Sequence, residues 1–224
     1  MEAVSLVLDN RDKPSLVSII GNELDFSSKS DKQIRTTPAY NRSRSMIKIQ
    51  EGCDQICAYC IVPKVRGRER SISPNEIISQ INDRFESGCQ EVVLTGTQLG
   101  TYGFDLPEIT LAGLLQQILA ATDIKRLRIS SLQAQEITPD LLELWDDLRL
   151  CPHFHIPLQS GSNTILKSMR RRYNTDQFKE TVNLVRKTIS DVAITTDIIV
   201  GFPEEGVKEF AESYNFAASM RFSN

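Results

Sequence analysis

Three of the chain's five cysteines lie close together in the segment GCDQICAYC. Cys53, Cys57 and Cys60 have the spacing Cys-x3-Cys-x2-Cys and directly follow a predicted strand. Thiolates are soft ligands that favour zinc or iron-sulfur clusters, and three of them in one short loop can bind three corners of a four-iron cube. Because no fourth cysteine is nearby, the remaining iron would be open to an exogenous ligand, as the free position of a catalytic zinc is.

The same spacing allows two other interpretations. His153 or His155 could complete a zinc knuckle, or the three thiols could be buried and free. The other two cysteines, Cys89 and Cys151, stand alone, and an odd total does not suit a secreted disulfide framework. The cysteine pattern therefore predicts a reducing compartment and one metal-type cluster.

The overall charge of the chain is close to neutral. Lys and Arg number 26 against 29 Asp and Glu, a formal net charge of −3, so the chain lacks the basic excess of a general nucleic-acid binder. Any contact with RNA must therefore be local. Two basic segments could grip phosphates or be solvated faces, and they contain Lys64, Arg66, Arg68 and Arg70, and Arg170, Arg171 and Arg172.

Targeting signals are not evident in the sequence. It encodes no apolar run of about 18 residues that could span a membrane. The first residues, MEAVSLVLDNRDKP, carry acidic charge where a secretory signal carries basic charge. We therefore expect a cytoplasmic protein without a membrane partner.

From Met46 onward, short β-type runs alternate with amphipathic helical windows, as in βαβ units around a parallel sheet. The predicted strands are MIKIQ (46–50), EVVLTG (91–96), RLRISSL (126–132), HFHIPLQ (153–159) and VAITTDIIVGF (192–202), the last long and buried. Ser73 and Thr138 are expected to cap two of the intervening helices. This order predicts an α/β fold of five βα units, and periodicity leaves an open sheet and a barrel equally possible. Residues 1–45 are predicted to be a linker or the tail of a preceding domain, and residues 46–224 the core.

The cysteine spacing, with an aromatic residue before the last cysteine, resembles that of the radical S-adenosylmethionine (radical SAM) superfamily. The segments IQEGCDQICAYCIVPKVRGRERS, LTGTQLGTYG, PLQSGSNTILKSMRRRY and TTDIIVGFP look like those of its methylthiotransferases. The strings KIQEGCDQ, GTQLGTYG and SSLQAQEIT are most similar to the subgroup that modifies threonylcarbamoyl-adenosine in tRNA. Other subgroups act on isopentenyl-adenosine in tRNA or on a ribosomal protein.

The resemblance implies a partial (βα) barrel in which Cys53, Cys57 and Cys60 hold a [4Fe-4S] cluster. S-adenosyl-L-methionine would chelate the open iron, and its reductive cleavage would give the 5'-deoxyadenosyl radical that takes hydrogen from the adenine ring. The implied reaction adds a methylthio group to threonylcarbamoyl-adenosine next to the anticodon, with tRNA and an electron donor protein as partners. The alternative from another class of protein is a non-catalytic scaffold that binds a metal or an iron-sulfur cluster.

Further site residues are expected around the cluster. The candidates for cofactor binding are Tyr59, Thr95, Gly96, Ser131, Gln159 and Asp197, and those for substrate binding are Arg66, Arg68 and Arg171. Some have plainer interpretations, since Gly96 could mark a turn, Ser131 a strand end and Tyr59 a core aromatic. Asp197 lies inside the predicted buried strand, where it would need a protein partner or a ligand.

The chain departs from the methylthiotransferase pattern. No cysteine precedes Met46, where the family has three for an auxiliary [4Fe-4S] cluster, so we expect that second cluster only in the full-length protein. Family members also usually end in a small β-barrel that grips RNA, and the given residues stop before any such domain. Because the chain also stops where another strand is expected, we expect a fragment with the radical core, which makes the radical without completing sulfur insertion. Glu204, in GFPEEG, stands where the family has a glycine, which brings the backbone geometry of that turn into question.

Overall fold

The computed structural model describes residues 6–8, 10–23 and 43–224. The chain divides into two compact units, Met1–Ala39 and Tyr40–Asn224. In the first unit, a 3-10 helix (Asn10–Ser15) leads into helix α1 (Leu16–Glu23). The prediction of a linker over residues 1–45 did not include this helix, and most of the polar stretch at 27–45 lies outside the described residues.

The strands of the second unit, in its described part, form a three-stranded and a two-stranded parallel sheet and one small antiparallel ladder. They are β1 (Arg44–Lys48), β2 (Gln50–Glu51), β3 (Arg70–Ser71), β4 (Glu91–Thr95), β5 (Arg126–Ile129), β6 (His153–His155) and β7 (Ala193–Thr195).

The helices of this unit alternate with the strands along the chain, and the last helix follows the last strand. They are α2 (Val62–Val65), α3 (Pro74–Glu86), α4 (Leu111–Ala121), α5 (Pro139–Leu142), α6 (Asn163–Ser168), α7 (Thr175–Thr188) and α8 (Val207–Met220), with 3-10 helices at Leu99–Thr101, Ala134–Glu136 and Glu143–Asp146. Among the described residues, no helix is both long and apolar enough to cross a membrane.

The parallel strands follow one another across the sheet in chain order. Strand β4 pairs with β1 and β5, and β6 pairs with β7. Isolated parallel bridges, Leu127 to Leu150 and Ser131 to His155, connect the β5 side to the β6 side. In a doubly wound sheet the strand order would reverse, whereas a sheet that grows on one side only curves toward a barrel. The predicted α/β partial barrel is confirmed, and strand order resolves the choice that periodicity left open.

Alternation along the strands separates an apolar face from a polar one. Ile47, Leu127 and Ile194 are buried in the core against the helices. The residues next to them in sequence, such as Arg128 and Thr195, face the opposite side of the sheet. The core therefore lies between sheet and helices, which leaves the inner side of the partial barrel free for polar groups.

Two predicted helix caps are present. The Ser73 hydroxyl accepts a hydrogen bond from the Glu76 N–H at 3.4 Å, and the Thr138 hydroxyl accepts one from the Leu141 N–H at 3.3 Å. Each satisfies a donor that the first helical turn would otherwise leave unpaired.

The prediction of a long buried strand over 192–202 is wrong. Strand β7 ends at Thr195, and beyond it Asp197 and Val200 are exposed. The next backbone N–H, that of Thr196, donates to the Asn224 carbonyl at 3.0 Å. Strand β6 is also short, because Pro157 has no N–H with which to continue the pairing.

Candidate active site

The three clustered cysteines lie on the loop between β2 and β3, whose ends are joined by the antiparallel ladder of those two strands. Gly52 opens the loop with φ +79°, and a Cβ atom there would lie 2.0 Å from the Arg68 carbonyl oxygen. Only glycine fits this position, since a side chain would collide with backbone. The Cys53 N–H then donates to the Gly67 carbonyl at 3.2 Å, which holds the start of the loop against its end.

A cavity of about 160 Å³ lies next to this loop, at the carboxyl ends of the parallel strands. Side chains from five separate segments line it, and this end of the strands is where α/β barrels place their ligands. The lining residues are Cys53, Gln55, Cys57, Tyr59, Cys60, Thr97, Gln98, Ser131, Gln133, Glu136, Pro157, Gln159 and Arg171. Seven of the residues proposed from sequence are thereby brought together, namely Cys53, Cys57, Tyr59, Cys60, Ser131, Gln159 and Arg171.

The Cys53 thiol is buried and already has polar neighbours. Its sulfur accepts a hydrogen bond from the Gln55 N–H at 3.3 Å and lies 3.9 Å from Gln98 Oε1. Burial, the largest influence, raises the pKa of this thiol. Metal or cluster binding must therefore displace a proton from Cys53, since thiolates rather than thiols are the ligands.

An amide and carboxylate network forms the wall opposite the cysteines. Gln133 Nε2 donates to Gln98 Oε1 at 2.6 Å and to Gln55 Oε1 at 3.1 Å. Glu136 accepts from the Gln133 N–H at 2.9 Å and from the Gln98 side chain. Burial is the main reason that the pKa of Glu136 is raised to about 7. These bonds fix the orientation of the Gln98 and Gln133 side chains at the cavity.

Sequence reasoning did not propose Gln98, Gln133 or Glu136. The signal that could have found the last two is the Gln-x-x-Glu spacing at the start of a helical turn, where the capping contacts form. Gln98 carried no comparable local signal, because its partners lie in the Gln133–Glu136 turn and in the cysteine loop.

The proposed site residues that do not line the cavity have other contacts. The Thr95 hydroxyl donates to the Ile47 carbonyl at 3.2 Å, and a Cβ at Gly96 would lie 2.7 Å from Leu99. Thr95 and Gly96 therefore pack at the end of β4, whereas the next residue, Thr97, lines the cavity. Asp197 is exposed and lies 3.1 Å from His155 Nε2, so the expected cost of burying it does not arise.

The two arginines proposed from the KVRGRER segment are at the surface. Arg66 is exposed, and Arg68 forms a two-pronged ion pair with Asp54 at 3.2 and 3.1 Å. That pair lies on the outside of the cysteine loop and ties its two arms together. Contact of these arginines with a substrate stays a prediction.

The thiols of the cysteine loop are free to bind a metal or a cluster. All five cysteines are free, and within the described residues no three His, Cys, Asp or Glu side chains converge closely enough for one metal ion. In a cluster each thiolate binds a different iron, so its sulfurs stand further apart than the ligands of one zinc. The histidines of the zinc alternative bond elsewhere, since Thr195 Oγ1 lies 2.9 Å from His155 Nδ1 and 3.2 Å from His153 Nε2.

The chain belongs to the radical SAM superfamily, whose sequence profile matches residues 47–217. Its sequence relatives include tRNA methylthiotransferases. It is 43% identical to the threonylcarbamoyladenosine tRNA methylthiotransferase MtaB of Bacillus subtilis, over 83% of this chain and 42% of that protein. The MtaB of Aquifex aeolicus is 36% identical over 100% of this chain and 57% of that protein. These matches confirm the resemblance seen in the sequence.

A second group of relatives is named for the methylthio form of dimethylallyladenosine in tRNA. The tRNA-2-methylthio-N(6)-dimethylallyladenosine synthase of Thermoanaerobacter sp. is 40% identical over 80% of this chain and 38% of that protein. The chain spans about half the length of the curated relatives that it matches.

Solved structures agree on the fold. The radical S-adenosylmethionine methyltransferase TsrM of Kitasatospora setae, with cobalamin and a [4Fe-4S] cluster bound, superposes with a TM-score of 0.64 at 14% identity, over 79% of this chain and 34% of that one. Coproporphyrinogen III oxidase (HemN) of Escherichia coli gives 0.54 at 14%, over 80% and 42%. At such identities the similarity concerns the fold alone.

The predicted cofactors are those of the superfamily, a [4Fe-4S] cluster and S-adenosyl-L-methionine. The three free thiols around one cavity are of the donor type that such a cluster requires. Amide, hydroxyl and guanidinium groups on the other walls are suited to a zwitterionic ligand that carries hydroxyls.

Proposed function

We propose that this chain is the radical-forming core of a tRNA methylthiotransferase that acts on N6-threonylcarbamoyladenosine. The observation that carries the proposal is the arrangement of Cys53, Cys57 and Cys60 around one cavity with Gln98, Gln133 and Arg171. When bound, the cluster and S-adenosyl-L-methionine supply a carbon-centred radical.

The chain's own residues bind and orient the cofactors. We propose that the three thiolates hold the cluster, and that Tyr59, Ser131 and Gln159 contact S-adenosyl-L-methionine from the other walls of the cavity. The hydrogen bonds among Gln98, Gln133 and Glu136 restrain these side chains in the absence of a ligand. Less side-chain rotamer entropy is therefore lost when a ligand binds.

The choice of substrate rests on similarity. The names of the first two relatives support threonylcarbamoyladenosine in tRNA, in agreement with the strings KIQEGCDQ and SSLQAQEIT. Identity of 40% to a dimethylallyladenosine synthase makes that modified adenosine the second candidate. An electron donor protein and a cytoplasmic location belong to the same proposal.

The cluster assignment is tested with two cysteine variants. After anaerobic reconstitution with iron and sulfide, we expect the wild-type protein to cleave S-adenosyl-L-methionine to 5'-deoxyadenosine when reduced. Cys57→Ala removes a ligand and should abolish both the cluster and the product. Cys89→Ala is the matched control, because Cys89 is buried away from the cavity, with its sulfur 3.1 Å from the Glu91 carbonyl.

Two results would contradict the assignment. Equal loss in Cys57→Ala and Cys89→Ala would show that the cysteine loop is not the cluster site. A wild-type protein that binds zinc and no iron or acid-labile sulfide would instead favour the scaffold alternative.

The substrate is tested by deleting the gene from its host and analysing tRNA nucleosides by mass spectrometry. We expect the methylthio form of threonylcarbamoyladenosine to disappear. The methylthio form of dimethylallyladenosine, also called isopentenyladenosine, should remain. The reverse pattern would favour the second candidate.

A further inference from the structure

Arg171 is the inward-pointing member of three consecutive arginines. The chain turns sharply after α6, where Arg170 has φ +59°, and this turn leaves Arg170 and Arg172 exposed while Arg171 is half-buried. In the sequence the three form one basic cluster that could grip phosphates, and Arg171 is its candidate for substrate binding. The structure separates them, because only Arg171 lines the cavity.

All three guanidinium nitrogens of Arg171 have a partner. Nη1 donates to the Cys57 sulfur at 3.5 Å, and Nη2 donates to Gln133 Oε1 at 3.2 Å. Nε donates to the Tyr173 hydroxyl at 3.2 Å, and the guanidinium lies 4.9 Å from the centre of the Tyr173 ring. The group is therefore held in one orientation, with its charge directed at the cysteine loop.

The backbone holds the same two segments together. The Ala58 N–H, next to Cys57, donates to the Met169 carbonyl at 3.1 Å, two residues before Arg171. The Tyr173 hydroxyl in turn lies 2.7 Å from the Leu158 carbonyl, which anchors the far side of the arginine. The hydrogen bond between Arg171 and Cys57 is thus one of several bonds that hold the segment around Arg171 against the cysteine loop.

We infer that Arg171 is a positioning residue that raises the reduction potential of the cluster through its bond to the Cys57 thiolate. The inference rests on the proposed cluster at the three cysteines. Reduction adds negative charge to a cluster and its thiolates, and a cation that donates a hydrogen bond to one sulfur stabilises that charge. Hydrogen bonds to ligand sulfurs are an established means by which proteins set such potentials.

The test is a redox titration of the anaerobically reconstituted protein, without S-adenosyl-L-methionine or RNA, followed by electron paramagnetic resonance of the reduced cluster. In Arg171→Met we expect the ratio of reduced to oxidised cluster at a fixed potential to fall roughly tenfold, a shift of about 59 mV to more negative values. Arg172→Met removes the same charge one residue away without a bond to sulfur, and we expect it to change the ratio less than about twofold.

A second variant covers the case in which Arg171→Met does not load its cluster. Tyr173→Phe keeps the charge but removes the hydroxyl that holds Nε, and we expect a smaller shift in the same direction. Equal shifts in Arg171→Met and Arg172→Met would overturn the inference. If Arg171→Met does not assemble a cluster, a reduction potential in Tyr173→Phe equal to that of the wild type would also overturn the inference.

The titration also separates this inference from the proposed function. A wild-type protein that assembles no iron-sulfur cluster contradicts the proposed function. If the wild-type protein assembles a cluster and Arg171→Met has the same reduction potential, only the present inference is contradicted.

Discussion

Glu204 holds a backbone conformation that glycine adopts more easily. Its φ is +73°, in the left-handed region, at the position where the methylthiotransferase pattern has glycine. The question raised by the sequence is therefore answered: the turn keeps the geometry that a glycine would allow, and glutamate adopts it at a cost of about 1–2 kcal/mol. The side chain recovers part of this cost by accepting a hydrogen bond from the Ser168 hydroxyl at 3.2 Å.

Replacing Glu204 with glycine should stabilise the protein. Relief of the left-handed strain exceeds the extra chain entropy that glycine loses on folding, so we expect Glu204→Gly to raise the free energy of unfolding by about 0.5–1 kcal/mol. Glu204→Ala is the control, since it removes the same side-chain contact but keeps the strain. Chemical denaturation measures both, and equal stabilities of the two variants would argue against strain at this turn.

At the scale of elements, one carboxylate joins three strands at the amino-terminal end of the sheet. Glu91 of β4 is opposite Arg44 of β1 and Arg126 of β5, and it pairs with both at 2.8 and 3.0 Å. Arg128 donates to the same carboxylate at 3.0 Å. Burial alone would raise the pKa of Glu91, but the bonds from Arg128 and Arg126 outweigh it and hold that pKa below 4.5.

Removing the negative charge of Glu91 should destabilise the protein. Glu91→Gln leaves three guanidinium groups facing one another, and we expect it to lower the free energy of unfolding at pH 7 by roughly 2 kcal/mol. The exposed Glu86 is the control, and Glu86→Gln should change stability by less than about 0.5 kcal/mol.

The pH dependence follows from the lowered pKa of Glu91. The carboxylate contributes stability above the unfolded value of 4.5, and that contribution is lost as pH falls through the lower folded value. The difference between wild type and Glu91→Gln in urea unfolding should therefore shrink below pH 4.5. A difference that is constant from pH 7 to pH 3 would contradict the assigned role.

At the scale of the whole molecule, the hydrophobic core belongs to the second unit. The buried residues that make up the described core, such as Ile47, Leu94, Phe154 and Phe178, come from strands and helices of Tyr40–Asn224. In α1, by contrast, Val17 is 85% exposed. Among the described residues, burial of apolar area, the main source of folding free energy, is thus concentrated beyond residue 40.

Deleting residues 1–39 should leave the second unit folded. We expect its free energy of unfolding to change by less than about 1 kcal/mol, because the core and the sheet are untouched. A chain that also lacks β1, beginning at Ile49, is the comparison, since β4 then loses one of its two partner strands and cooperative unfolding should be lost. Thermal unfolding followed by circular dichroism distinguishes the two, and equal behaviour would contradict the division into units.

The sequence alone determined the features that depend on near neighbours. The Cys-x3-Cys-x2-Cys loop, the caps at Ser73 and Thr138 and the alternation of strands and helices each need only residues a few positions apart. Such local patterns predicted the α/β class, and the resemblance they carried predicted the cofactors. They did not predict α1, nor that β7 ends at Thr195, because the limits of a strand depend on what lies beside it.

Tertiary structure decided everything that requires residues distant in sequence to meet. Arg171 bonds Cys57 across 114 positions, and Gln133 bonds Gln98 across 35. No periodicity indicates such pairings, so the sequence could not show that Arg171 meets Cys57, or that Glu136 supports the cavity wall. Strand order was settled in the same way, since only the pairing of β1, β4 and β5 and of β6 with β7 makes the sheet curve into a partial barrel. The physical reason is that burial and hydrogen bonding are properties of the folded surroundings, whereas spacing and capping are properties of the local chain.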